Sequence, residues 1–131
     1  MSDDLLHVEL VAADRLVWSG EAKMVIARTT EGDVGILPNH APMLSLMVDG
    51  VVDVQTAEGE TWVAAVDAGF LSVANNRISI LSEHAEMSHE IDLEKARQEL
   101  ERAKSSGEND DAAEEAVRRA EARVRAVERA S

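Results

Sequence analysis

The stretch RISILSEHAEMSHEIDLEKARQELERAK, residues 77–104, changes its periodicity partway along. RISILSE (77–83) alternates apolar and polar positions, the period-two signature of a half-buried strand. From Asp92 onward Leu93, Ala96, Leu100 and Ala103 recur at steps of three, four and three. That is the stripe of an amphipathic helix, and no proline interrupts the chain from there to residue 131. The chain thus passes from β to α in this segment, and the two halves on either side follow suit.

Upstream, short runs near a period of two read as strands: residues 5–13, 22–29, 43–48, 51–57, 61–67 and 69–74. Asp49-Gly50, Glu58-Gly59 and Asn75-Asn76 separate them, and Gly and Asn accept the positive φ that tight turns demand. Seven or more short strands build a β-sandwich or flattened barrel. Downstream, Ala113, Val117, Ala120, Val124 and Val127 form a second helical stripe. SSGEND (105–110) breaks the two helices apart, and Asp111 and Glu114 stand at capping-box spacing. The fold class is therefore α+β, with a sandwich over 1–86 and an antiparallel two-helix hairpin over 87–131. The hairpin seam holds five sizeable apolar side chains, Leu93, Leu100, Val117, Val124 and Val127. So thin a seam makes the hairpin marginal and its packing on the body reversible.

The net charge of −13 argues against nucleic acid, which needs a concentrated Lys/Arg surface. Five arginines follow Ala113, and Arg118, Arg125 and Arg129 recur at seven and four along one side. A one-sided cationic stripe is either a solvated face or a docking surface for an acidic partner. With no cysteine, thiolate metal sites and cysteine nucleophiles are excluded. His7, His40, His84 and His89 lack metal-ligand spacing, and no catalytic motif appears, so neither a metal site nor an enzyme is expected. The scattered acids of the β region read as solvated faces. Asp92 reads as a helix N-cap. No run of roughly 20 apolar residues and no basic leader occurs, so the expectation is a soluble, cytoplasmic chain without membrane insertion.

EGDVGILPNHAPML, residues 31–44, gathers both prolines and two of the seven glycines. Gly32, Gly35, Pro38 and Pro42 specify a shaped loop rather than a regular element, and shaped loops are where contacts with other molecules concentrate.

These residues resemble the epsilon-subunit family of bacterial F-type ATP synthases over nearly the whole chain. Glu31 through Pro42 follows the family's acidic-glycine turn, then glycine, two apolars, proline, a variable residue and histidine-alanine-proline. Trp18-Ser19-Gly20, Gly69-Phe70-Leu71 and Ile91-Asp92-Leu93-Glu94-Lys95-Ala96 match further family positions. The resemblance implies a non-catalytic rotor subunit, monomeric within its complex, at the cytoplasmic face of the bacterial plasma membrane. It implies a c-subunit ring contact through Glu31, Asp33 and Val34, and a gamma-subunit contact through His40, Ala41 and Pro42. It also implies a hairpin that extends into the catalytic head of alpha and beta subunits and impedes ATP hydrolysis, with Arg118, Arg119, Arg123 and Arg125 as the contact. Some members bind ATP as a regulatory ligand on the folded hairpin. Asp92 and Arg102 match that pattern here, but Lys95 replaces its arginine, and lysine lacks the planar fork. A free-standing ligand-binding sandwich with a helical appendage is the competing reading.

Overall fold

The computed structural model describes residues 4–105 and 111–130. Nine strands run in order: β1 (Leu6–Ala12), β2 (Leu16–Thr29), β3 (Gly32–Ile36), β4 (Met43–Met47), β5 (Gly50–Thr56), β6 (Thr61–Val66), β7 (Gly69–Ala74), β8 (Arg77–Ser82) and β9 (Ala85–Met87). A 3-10 turn at Ser88–Glu90 leads into helices α1 (Leu93–Lys104) and α2 (Asp111–Ala130). The connection through 106–110 expected to break the hairpin lies outside the described residues.

The strands form one hydrogen-bonded path, β1-β8-β7-β4-β2-β5-β6-β9, with β3 on β2 and a further β1–β2 pairing. β2 belongs to both layers. Its first half pairs with β1, from Leu6↔Ala22 to Val11↔Leu16, and its second half pairs with β5 and β3. The β1-β8-β7-β4 layer therefore folds over the β2-β5-β6-β9 layer as a flattened barrel. Alternate residues point inward: Leu6, Val8 and Leu10 from β1, Val52 and Val54 from β5, Leu71 and Val73 from β7, Ile78 and Ile80 from β8 are all buried in one core. At about 25 cal/mol per Å² of apolar surface removed from water, this continuous core is the main stabilising term of the body.

Two departures from the sequence reading stand out. Gly32–Ile36 is a strand and not part of the expected loop: Val25↔Ile36 and Ala27↔Val34 pair it antiparallel to β2. Its two glycines dilute the β signal, yet Val34 and Ile36 alternate inward. The shaped loop is shorter, residues 37–42. β2 also begins six residues before the expected 22, where it pairs with β1. The Trp18 ring lies over Gly20 there, and an added Cβ would come within 2.9 Å of it, which is a steric reason for that glycine. Gly69 has a comparable reason: a Cβ there would sit 1.9 Å from the Leu81 carbonyl oxygen. Asn75 and Asn76, at φ 52° and 61°, make the expected tight turn between β7 and β8.

Candidate functional site

α2 lies against the outer face of β5 and β6. Ala122 and Ala126 are its contact residues, small enough to bring the helix close to Val51, Val63 and Ala65, with Ile91 packed at the side. The seam stripe of Val117, Ala120, Val124 and Val127 is a different face of α2, and it meets α1, where Ala96 is buried. The helix is thus buried on two faces, and the one touching the sandwich is made of alanines.

So little apolar area leaves charge to fix the helix. Arg123 is the centre of the arrangement, with its side chain only 12% exposed. Its Nε donates to Glu86 Oε1 at 2.7 Å, and its Nη1 donates to Asp67 Oδ1 at 3.3 Å and to the Arg119 carbonyl at 3.0 Å. Arg119 Nε lies 3.5 Å from Asp67 Oδ2, while its Nη2 donates to Glu115 one turn earlier. Arg118 Nε is 3.7 Å from Asp49, whose Oδ1 accepts the Ala68 amide at 2.8 Å. Arg129 Nη2 is 3.3 Å from Asp53 Oδ2. Of the four arginines expected at a catalytic head, Arg118, Arg119 and Arg123 therefore face the sandwich. Among the described residues Arg125 pairs with Glu121 of its own helix, at 4.0 Å.

The sandwich acids in these pairs correct an expectation. Asp53 and Asp67 are buried and do not lie on solvated faces, and the Asp49 side chain is 3% exposed. They face outward from the sheet, but α2 covers them. Asp53 interrupts a run of valines on β5, and that interruption was the one sequence signal for it. Burial pushes the Asp53 carboxyl up from its ordinary value, Arg129 pulls it back in part, and Asp33 raises it further. A second tie holds the strap before α1. Arg15 donates to Glu90 Oε1 at 3.1 Å, and the same oxygen accepts the Met87 amide at 2.9 Å. The Arg15 hydrogen bond, then the Met87 amide, hold the Glu90 carboxyl below its usual range.

The two expected contact segments sit at opposite ends of β4. At one end the β2–β3 turn is fixed by Thr29, whose Oγ1 donates to the Gly32 carbonyl at 2.8 Å and accepts the Glu31 amide at 3.1 Å. Gly32 supplies the turn's φ of 110°. Glu31 and Asp33 are exposed there, whereas Val34 turns inward against the core. Gly35 is exposed, needs no positive φ, and has open space around it. At the other end Asn39 and Asn76 exchange hydrogen bonds, at 2.5 and 3.3 Å, clasping the 37–42 loop to the β7–β8 turn. His40 Nδ1–H donates to the Ala41 carbonyl at 2.7 Å, and Ala41 and Pro42 are exposed beside it.

Between these ends the outer face of the β1-β8-β7-β4 layer carries a row that sequence reading did not single out. Leu46↔Phe70, Phe70↔Leu81, Leu81↔Val11 and Val11↔Leu16 are consecutive register partners. Leu16, Leu46, Phe70 and Leu81 are each more than half exposed, and Leu44 beside them is 74% exposed. Apart from Leu44 and Leu46, which share β4, each is single in its own strand, so only the register reveals that they form a line across five strands. Exposed apolar surface gathered in this way sets the face apart as an interaction surface rather than an ordinary solvated one.

Of the residues considered for ATP, Asp92 and Lys95 line one cleft and Arg102 does not. Asp92 caps α1 by accepting the Lys95 amide at 3.2 Å. Lys95 lines a cleft with His84, Glu86, Glu90, Glu99 and Arg123, while Arg102 lies a further two turns along α1 and outside that lining.

A sandwich with one outer face under a charge-held hairpin and the other bare and apolar defines a protein-docking module. The pattern of the family described as ATP synthase, Delta/Epsilon chain, beta-sandwich domain matches residues 5–88. An ATP synthase epsilon chain from Streptomyces avermitilis is 57% identical over 122 residues, covering 93% of this chain and 94% of that one. Those of Rhodococcus opacus and Corynebacterium efficiens are 48% and 46% identical, over 95% and 96% of this chain and 98% and 95% of theirs. The chain belongs to the ATP synthase delta/epsilon family, among its epsilon chains. The fold is shared with a chain of the Euglena gracilis mitochondrial ATP synthase OSCP/F1/c-ring structure, at TM-score 0.78 and 23% identity, covering 99% of this chain and 86% of that one. A chain of the Tetrahymena thermophila mitochondrial central stalk/c-ring structure shares it at TM-score 0.59 and 16% identity, covering 99% and 98%.

Proposed function

We propose that this chain is a non-catalytic rotor subunit of a proton-translocating F-type ATP synthase, held at the cytoplasmic face of the membrane without entering it. The bare apolar row from Leu46 to Leu16 carries this reading. A row so exposed is costly in water and is stabilised only by a partner, and the gamma subunit, with His40, Ala41 and Pro42 at the row's edge, is the partner assigned. Glu31 and Asp33, at the far end of β4, are assigned to the polar loops of the c-ring. Gly35 supports this, because a glycine with neither a conformational nor an internal steric reason fits a place where another backbone approaches closely.

The hairpin is assigned the regulatory role. When it leaves the sandwich, Arg118, Arg119 and Arg123 exchange the sandwich acids for acidic groups of the catalytic head, Arg125 joins them there, and together they impede hydrolysis. ATP is not assigned to the folded hairpin. Glu86, Glu90, Asp92 and Glu99 line the cleft against Lys95 and Arg123, and Arg123 is already committed to two carboxylates. That field opposes a polyphosphate.

The test is assembly. Substituting Phe70→Ser and Leu81→Thr together leaves the inward core untouched and removes the centre of the row. Capture of the gamma subunit by the variant should fall at least about tenfold, while its circular dichroism stays that of the parent. Undiminished capture would remove the row from the interface.

A further inference from the structure

The docked hairpin covers a carboxylate that the ion-pair arrangement does not satisfy. Asp53 is 7% exposed, and its Oδ2 is sealed from solvent without a hydrogen-bond partner among the described residues. The Arg129 guanidinium lies 3.3 Å from that oxygen, outside hydrogen-bonding geometry, on a side chain that is half exposed. A half-exposed cation spends much of its field on water, so it offsets a buried anion only in part. The direct register partners of Asp53, Ile26 on β2 and Val63 on β6, carry no charge. The other charge bearing on it is Asp33 of β3, which shares its sign and itself lies 4.0 Å from Arg28 of β2.

We infer that Asp53 is a built-in weak point of the docked hairpin: its carboxylate opposes docking, Arg129 cancels part of that opposition, and the hairpin stays releasable as a result. The ion pair therefore reads opposite to the Arg123 pairs less than two turns away. Arg123 hydrogen-bonds both its acids and fastens the helix, whereas Arg129 only softens a cost that Asp53 imposes. The raised carboxyl of Asp53 agrees with this sign. When α2 lifts, the carboxyl returns to water and to its ordinary value, so docking takes up protons. Docking then gains as pH falls, and that gain is lost as pH rises through the docked value. The inference rests on the release of the hairpin proposed above.

The chain has no cysteine, which makes a single thiol a clean reporter. Val51 is 6% exposed beneath α2, so in a Val51→Cys background a maleimide reacts when the hairpin lifts. Asp53→Val places a β-branched residue on β5 beside Val63. It should slow labelling at least about fivefold, the effect of removing one unsatisfied buried group. The isosteric Asp53→Asn should move the rate in the same direction. Arg129→Ala should speed labelling when Asp53 is present and leave it unchanged in the Asp53→Val background. Faster or unchanged labelling in folded Asp53→Val would overturn the inference, because the pair would then be a fastening or inert. A parent whose labelling tracks global unfolding in its denaturant dependence would refute release itself, and that result appears before any substitution at Asp53 is made.

Discussion

The fastening role of Arg123 is best tested from the sandwich side, by Asp67→Asn together with Glu86→Gln. This leaves every α2 arginine in place, and so preserves whatever those arginines do elsewhere. In the docked hairpin it strips Arg123 of its two carboxylates and Arg119 of one. Hydrogen bonds to charged groups contribute about 1.5–3 kcal/mol each, and removing one side of a well-buried pair costs about 3–5 kcal/mol. Here Glu86 is 28% exposed and the new amides still accept hydrogen bonds, so about 1.5–3 kcal/mol is the reasoned loss. At 1.4 kcal/mol per decade, the docked population relative to the released one should fall about 10- to 150-fold. In the isolated chain, amide hydrogen exchange should show α2 losing that much protection while β7 and β8 keep theirs. In the assembled enzyme the same variant should deepen inhibition of ATP hydrolysis, because the inhibitory role is assigned above to the released hairpin. Unchanged α2 protection would refute the fastening role. Relief of inhibition in the variant would refute the assignment of the released state.

Replacing Arg118, Arg119, Arg123 and Arg125 together by alanine has the converse logic. It loosens docking and removes the head contact at once, so the isolated chain should lose α2 protection while hydrolysis by the complex rises. Gly69→Ala forces a Cβ into the Leu81 carbonyl and should cost at least about 1–3 kcal/mol, read as a lowered Tm of the whole sandwich. Gly35→Val should leave the isolated chain's melting unchanged and weaken attachment of the catalytic head to the membrane sector, measured as a larger loss of proton pumping than of soluble ATPase. Glu90, held below its ordinary value of about 4.5, contributes stability that is present above that pH and lost as pH falls through its depressed value. Glu90→Gln should accordingly abolish that acid-side loosening of the 88–92 segment in hydrogen exchange.

The sandwich and the hairpin are legible in the sequence because burial on one face imposes a period on each, two in 77–83 and about three and a half in 93–103. β3 is not legible, since glycines stand on both of its faces, Gly32 in the inward series with Val34 and Ile36 and Gly35 in the outward series, and so blank the alternation. The alanine face of α2 is equally silent. Ala122 and Ala126 carry little hydrophobic signal, so Val117, Val124 and Val127 dominate the reading and point to α1 alone. The arginine stripe was visible, but its partners were not, because Asp49, Asp67 and Glu86 come from three segments that only the tertiary fold brings under one helix. The apolar row is invisible for a related reason, as its members meet through strand register and not through sequence spacing. Asp53 among valines is a local conflict between strand chemistry and charge, yet in sequence it reads with the other acids as a solvated face, because only the tertiary fold lays α2 over it.

The account stands most directly on the hairpin's effect in the complex. ATP hydrolysis should be measured in assembled enzyme carrying the full chain and in enzyme carrying a chain stopped after Glu90, with proton pumping recorded in both. The account predicts faster hydrolysis with the shortened chain and pumping retained, since the Leu46–Leu16 row and the Glu31–Asp33 turn are intact. Equal hydrolysis in the two would contradict it.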